Sequence, residues 1–272
     1  MRSVVEELIR DEESGAREIA LRLLEAARGA GLREAAAAAR LVASAHREMS
    51  LLDNISWILG EAARRGAHPG ILARLRAEIA GEAQAVARRA AELLGGKGVR
   101  RVMTLSWSST VYAALTAMAG DLERVYVMES LPGGEGRVMA RRLAGEGLDV
   151  VLIPDSSAGH YAGRVDALLA GGDAVLRDGS LVNKAGTSLA AHAVKAAGGG
   201  VYALVGLLKV DVRGVHRGVR EFEERREGYT WSYVVFDVTP STLVDLYVTP
   251  RGCYAPSEIL EAAQRYLEEL LG

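Results

Sequence analysis

The stretch GGDAVLRDGSLVNKAGT, residues Gly171–Thr187, says most about the fold of this chain. Its pattern predicts an apolar strand, a polar turn, a second short extended run and a step into an Ala-rich helix over Ser188–Ala197. Asp173 stands where the strand ends, and Asn183 and Lys184 come just before the helix. Backbone N–H groups and the positive end of a helix dipole meet at such a junction, which suits a phosphate or a carboxylate.

A purely structural interpretation of this junction has equal weight. In it Thr187 or Ser188 caps the helix, Gly186 makes the turn and Lys184 is solvated. The chain contains four Lys against 29 Arg, and only two Asn and two Gln. An adjacent Asn-Lys pair in such a composition favours a functional role. Scarce amides also fit a thermophilic source.

Composition limits the class of protein. With 272 residues, 49% hydrophobic and 25% charged, the chain has the length of one large domain or two modest ones. A net charge of -2 gives no electrostatic case for binding nucleic acid. The sequence has no 18-residue apolar run, and its start is too acidic for a signal peptide, so we expect a cytoplasmic protein with no membrane contact. The single cysteine, Cys253, excludes an internal disulfide and a cysteine-based zinc cage.

The chain changes character near residue 95. Before it, Ala, Leu and Ile recur at helical spacing, which predicts a bundle of helices over residues 1–95. After it, short apolar runs alternate with helical segments, which indicates buried parallel strands over residues 96–272. We therefore predict an α/β protein, an N-terminal helical bundle followed by a Rossmann-like parallel-sheet domain. The predicted strands are Val99–Leu105, Arg124–Met128, Asp149–Pro154, Ala167–Leu176, Val201–Val205, Tyr233–Val238 and Leu243–Val248.

Polar residues follow these predicted strands. In an open α/β sheet, ligands bind beyond the carboxyl ends of the strands, so these residues are candidates for a pocket that takes a phosphorylated sugar or nucleotide. The candidates are Ser106, Ser108, Ser109, Ser130, Asp155, Asp173, Asn183, Lys184 and Lys209, with His160 as a further proton donor or base. The chain has no GxGxxG or GxxxxGK[ST] motif, so a nicotinamide cofactor or a P-loop nucleotide is unsupported. We expect no cofactor and no metal.

The order of these motifs resembles a known family. That family joins the regulatory α, β and δ subunits of translation initiation factor 2B to the aldose–ketose isomerases of ribose 1,5-bisphosphate and methylthioribose 1-phosphate. The segment Gly171–Thr187 is close to its most distinctive stretch, and FDVTP at Phe236–Pro240 is a second match. The resemblance implies a helical domain, a Rossmann-like domain and a homodimer or larger assembly. We expect the dimer contact along the apolar run Tyr233–Val248, and a subunit of initiation factor 2 is the partner that the resemblance suggests.

Departures from the isomerase pattern bear on function. The family's isomerases carry a cysteine where this chain has Ser106, and arginines where it has Ser14 and Leu131, whereas their aspartate matches Asp173. A cysteine, with its pKa of about 8.5, is easily tuned toward neutrality, and a serine is not. The resemblance therefore implies a regulatory-subunit-like protein with a vestigial isomerase pocket. The alternative is an active sugar-phosphate isomerase in which Asp173 moves the proton and another group replaces the cysteine.

Overall fold

The computed structural model describes residues 1–11 and 14–272, and in them the N-terminal part of the chain consists of helices. Their apolar side chains recur at helical spacing and are buried against one another, as the sequence predicts. The fourth helix ends where Gly66 takes the left-handed conformation (φ +67), a usual way for a helix to stop. The helices are α1 (Arg2–Ile9), α2 (Ala16–Ala26), α3 (Leu32–Ala45), α4 (Ser50–Arg65) and α5 (Gly70–Gly96).

Residues 97–272, all of them described, contain the strands and the remaining helices. The strands are β1 (Arg101–Leu105), β2 (Arg124–Met128), β3 (Val150–Ile153), β4 (Ala167–Ala170), β5 (Ala174–Val175), β6 (Leu181–Lys184), β7 (Gly200–Leu204), β8 (Glu221–Arg226), β9 (Tyr229–Val234), β10 (Phe236–Thr239), β11 (Leu246–Val248) and β12 (Cys253–Tyr254). The helices are α6 (Ser109–Ala117), α7 (Gly136–Gly145), α8 (Ala158–Ala162), α9 (Thr187–Ala196) and α10 (Ile259–Leu271).

The main sheet has seven strands in the order β12-β11-β7-β4-β1-β2-β3. Its neighbours run parallel except at one edge, where β12 is antiparallel to β11. Successive residues of β1 enter different buried clusters, Val102 on one face and Met103 on the other. Both faces of the sheet are covered, which explains why its strands are continuous apolar runs. The predicted fold class, helices followed by a mostly parallel sheet, is confirmed.

One predicted strand, Ala167–Leu176, is two strands. β4 stays in the main sheet and ends before Gly171, whereas β5 pairs with β6 in a separate antiparallel sheet of order β10-β6-β5. The chain can turn there because Gly172 has no side chain. A Cβ at Gly172 would lie 2.7 Å from atoms of both Leu181 and Val205.

A second strand prediction, Tyr233–Val238, is also wrong. Its first residues end the hairpin β8–β9, and the rest forms β10, which is antiparallel to β6 and outside the main sheet. β8 could not be predicted from the sequence, because Glu221–Arg226 is almost entirely charged. The hairpin is held by cross-strand aromatic contacts, with Phe222 stacked on Tyr233 at 5.4 Å between ring centroids.

The change from helices to strands falls between Gly96 and Arg101. The larger buried cluster nevertheless contains side chains from both halves, and Asn54 of α4 donates hydrogen bonds to the carbonyl oxygens of Leu208 (2.9 Å) and Val210 (2.8 Å). The division into domains 1–95 and 96–272 therefore stays a prediction. Within the described residues, no helix is both long enough and apolar enough to cross a membrane.

Candidate functional site

The main sheet reverses its order beside β1, because the chain adds β2 and β3 on one side and then β4 on the other. In open parallel sheets, ligands bind at such a switch point. Ser106 follows β1 there, and Ser108 caps α6 by accepting a hydrogen bond from the N–H of Val111 (3.3 Å). Gly171 follows β4 and lies so close that a Cβ on it would be 2.9 Å from Ser108 Oγ. We call the space beyond the carboxyl ends of β1 and β4 the crevice.

The loops after β1, β2 and β3 are tied together. Ser106 and Ser130 have left-handed φ angles of +59 and +67, which residues with a side chain rarely adopt. The N–H of Ser106 donates to Ser130 Oγ (2.7 Å), and that hydroxyl donates to the carbonyl oxygen of Met128 (3.1 Å). The carboxylate of Asp155 accepts from the N–H groups of Ser130 and Leu131, both at 2.7 Å. Three predicted site residues, Ser106, Ser130 and Asp155, are thus brought together. The hydrogen bonds of Ser130 and Asp155 hold the loops after β1 and β2 in place.

Asp173 lies half-buried among charged side chains. Burial raises its pKa, Lys209 and Lys184 oppose that shift, and Glu48 adds to it. Lys209 Nζ also donates to the carbonyl oxygen of Gly172 at 2.7 Å, beside the carboxyl group. A carboxyl group with a raised pKa can exchange protons closer to neutrality, which general acid–base chemistry requires.

Lys184 is buried, with 5% of its surface exposed, so the purely structural interpretation, in which it is solvated, is wrong on this point. Its strand is the centre of the small sheet, so the ammonium group needs a counter-charge inside the protein. Glu135, from the loop after β2, supplies it: Lys184 Nζ donates to Glu135 Oε1 at 2.7 Å. Asn183 donates to Thr187 Oγ1 (2.9 Å), which donates to the carbonyl oxygen of Lys184 (2.6 Å). Asn183 therefore fixes the turn between β6 and α9.

The start of α9 is capped by Asp237 of β10, not by Thr187 or Ser188 as in the purely structural interpretation. Asp237 accepts hydrogen bonds from the N–H groups of Gly186 (2.8 Å) and Ser188 (3.2 Å). The predicted turn at Gly186 is confirmed, with φ +101. The anion at this junction is a carboxylate of the chain itself, so these N–H groups are already occupied. Burial raises the pKa of Asp237 to about 6, against the opposing effect of the two hydrogen bonds.

Other predicted residues lie around or away from this cluster. Ser109 is half-buried at the first turn of α6. His160 is exposed on α8, with Nε2 2.9 Å from Arg164 Nη2. Cys253 is half-buried in β12, where burial raises the pKa of its thiol and Arg89 opposes that shift. In the described residues, no group of three His, Cys, Asp or Glu side chains could hold a metal ion.

Sequence reasoning missed four acidic residues near the site, Glu48, Glu82, Glu135 and Asp237. Glu82 of α5 is 5% exposed, and burial raises its pKa. A Cβ at Gly206 would overlap the Glu82 carboxylate, so a larger residue there would displace the Glu82 side chain. An acid within an amphipathic helix gives no sign in the sequence that it is buried. Glu135 lies in the loop after β2 and Asp237 lies in the FDVTP motif, but their partners are 49 or more residues away.

Curated relatives carry two kinds of name. The ribose 1,5-bisphosphate isomerase of Haloferax volcanii is 32% identical over 193 residues, 63% of this chain and 60% of that protein. A putative translation initiation factor eIF-2B subunit 2-like protein of Pyrococcus furiosus is 32% identical over 160 residues, 57% of this chain and 58% of that protein. The chain therefore spans about six tenths of the length of these relatives.

Solved structures share the fold over nearly the whole chain. The translation initiation factor eIF-2B of Pyrococcus horikoshii OT3 matches with a TM-score of 0.75 at 22% identity, covering 95% of this chain and 98% of that one. The 5-methylthioribose 1-phosphate isomerase of the same organism matches with a TM-score of 0.70 at 18% identity, covering 98% of this chain and 87% of that one. The family model described as the Initiation factor 2 subunit family matches residues 70–256. Because this match includes the crevice and more than half of the sequence, the chain belongs to the Initiation factor 2 subunit family.

Proposed function

We propose that this chain is a regulatory-subunit-like member of its family that binds a phosphorylated small molecule in the crevice without isomerising it. The observation that carries the proposal is the meeting of Asp173 with Lys184 and Lys209, whose charges act on its carboxyl group. Ser106 and Ser108 follow β1 at this edge of the sheet, and Ser108 Oγ lies against Gly171, which follows β4. Two ammonium groups and several hydroxyl groups match the phosphate and the hydroxyls of a sugar phosphate or a nucleotide.

The replacement of cysteine by Ser106 argues against the isomerase reaction. A serine hydroxyl titrates far above neutrality and exchanges protons at a useful rate only beside a base. The family's two phosphate-binding arginines are Ser14 and Leu131 here. A charge-assisted hydrogen bond contributes about 1.5–3 kcal/mol, so losing both weakens a bisphosphate by about two to four decades. These changes favour a ligand with one phosphate.

The second candidate function is an active sugar-phosphate isomerase, and the burial of Asp173 favours it. A carboxyl group whose pKa is raised can take a proton from one carbon of an open-chain sugar and return it to the next. In that case another group does the work of the missing cysteine. Several relatives are named as isomerases, which also supports this candidate function.

Calorimetric titration with ribose 5-phosphate tests the binding proposal. Lys184→Met removes the buried charge and keeps most of the side-chain volume, and we expect it to weaken binding by about tenfold or more. Lys195→Met is the matched control, because Lys195 is also ion-paired, to Asp245 (2.7 Å), but lies on α9. Circular dichroism verifies that both variants are folded. Equal affinity of Lys184→Met and the wild type contradicts the proposal.

For assembly, we propose a cytoplasmic homodimer formed through the sheet-containing half, with a subunit of initiation factor 2 as a partner. The predicted contact along Tyr233–Val248 needs revision, since Val244, Tyr247 and Val248 are buried within the protomer. Exposed residues of the same half, such as Val238, remain available for it. Light scattering at micromolar concentration should give twice the protomer mass, and a monomer contradicts the dimer. Capture of the initiation factor 2 subunit from native extract tests the partner.

A further inference from the structure

Lys184, one of the two cations of the crevice, already has an anion. The ammonium group is buried and pairs with Glu135 Oε1, which comes from a loop 49 residues earlier in the chain. The other oxygen, Glu135 Oε2, is buried and has no hydrogen-bond partner among the described residues. A buried carboxylate oxygen without a partner carries a desolvation cost. The pair is therefore less stable than it would be if both oxygens were bonded.

The loop that carries Glu135 is shaped to bring this carboxylate inward. Gly136 begins α7 so close to β2 that a Cβ on it would overlap the carbonyl oxygen of Met128. A Cβ at Gly133 would overlap the Glu135 carboxylate itself. Glycine on both sides of Glu135 lets the loop approach the strand and lets its side chain fold back toward Lys184. About a third of the Glu135 side chain (37%) remains exposed, so the side chain can rotate away from Lys184 into solvent.

We infer that Glu135 is a specificity-determining residue, a built-in competitor that a ligand must displace from Lys184. The inference rests on the proposed function, since it concerns the same cation. Glu135 is tethered, so its effective concentration at Lys184 is millimolar or higher. A free monoanion of equal charge, such as a sugar carboxylate, has no advantage over it. A phosphate dianion carries twice the charge and displaces it, so the crevice selects sugar phosphates over sugar acids.

The first test follows Lys184 without any ligand. The chain has four lysines, Lys97, Lys184, Lys195 and Lys209, so limited acylation by acetic anhydride can be quantified at each by mass spectrometry. Glu135→Gln keeps the size and a hydrogen-bond acceptor, and we expect it to raise acylation at Lys184 about tenfold or more relative to the other three. Glu129→Gln is the matched control, because Glu129 lies in the same loop and pairs with exposed Arg137. An unchanged rate at Lys184 in Glu135→Gln overturns the inference.

The second test measures selectivity by calorimetry with ribose 5-phosphate and ribonate. For the wild type and Glu129→Gln we expect binding of the phosphate and none of ribonate. In Glu135→Gln the phosphate should bind about tenfold more tightly and ribonate should become measurable. A variant that keeps the wild-type selectivity overturns the inference and leaves the proposed function standing. If Lys184 is released in the variant but neither protein binds ribose 5-phosphate, the proposed function fails and Glu135 remains the group that covers Lys184.

Discussion

Asp237, the carboxylate that caps α9, should make the stability of this protein fall as the pH rises. Burial raises its pKa from 3.8 in the unfolded chain to about 6, even though two N–H groups donate to it. Between these values the native state keeps the proton that the unfolded state has released. The native state then binds more protons, so the free energy of unfolding decreases with rising pH. A shift of about two units corresponds to about 3 kcal/mol, at about 1.4 kcal/mol per unit.

The substitution Asp237→Asn isolates this effect. The amide oxygen can still accept from the N–H groups of Gly186 and Ser188, but it has no proton to lose. Between about pH 4 and pH 7, we expect the free energy of unfolding of the wild type to fall by about 3 kcal/mol relative to that of the variant.

Urea unfolding at a series of pH values measures the difference. Asp166→Asn is the control: burial opposes ionisation of Asp166, but hydrogen bonds from Arg100 and Arg101 outweigh it and lower its pKa. The stability that Asp166 contributes is lost only as the pH falls below about 4, so its difference from the wild type should be flat from pH 5 to 7. If the stability difference between the wild type and Asp237→Asn does not change with pH, the pKa of Asp237 is not raised in the folded protein.

Three further substitutions have expected outcomes. Gly136→Ala places a Cβ on the carbonyl oxygen of Met128 and should destabilise the protein by about 1–3 kcal/mol or more in urea unfolding, and an unchanged midpoint contradicts this. Ser108→Ala removes the acceptor for the N–H of Val111 at the start of α6 and should cost about 1 kcal/mol, whereas a cost near zero would mean that the cap is not formed. Cys253→Ala should leave fold, assembly and any activity unchanged, because the raised pKa of this half-buried thiol makes it a poor nucleophile, and loss of turnover with the fold intact would contradict this.

Much of the fold could be predicted because its signals are local. Apolar runs such as Arg124–Met128 and the helical spacing of the first half each lie within one element, and periodicity identifies them. The errors arose where a tertiary contact decided the structure. The chain leaves the main sheet at Gly172, where Leu181 and Val205 pack too closely for a side chain, and nothing near Gly172 in the sequence indicates those neighbours.

The candidate site shows the same division. The rule that ligands lie at strand ends located Ser106, Ser108 and Asp173 at one edge of the sheet. The rule cannot show which polar groups are already engaged. Glu135, which pairs with Lys184, is 49 residues away from it in the sequence, and Asp237 is 51 residues away from Gly186, whose N–H donates to it. Pairs at such separations leave no periodic pattern in the sequence.

Our main proposal is that the crevice binds a sugar phosphate and does not isomerise it. One measurement addresses both parts: ³¹P NMR of a mixture of ribose 5-phosphate and ribose 1,5-bisphosphate during incubation with the protein. We expect the ribose 5-phosphate resonance to shift or broaden with the wild type and to do so much less with Lys184→Met, and we expect the resonances of ribose 1,5-bisphosphate to remain throughout. Resonances of ribulose 1,5-bisphosphate that grow with time, or a ribose 5-phosphate resonance that the protein leaves unaltered, would contradict this proposal.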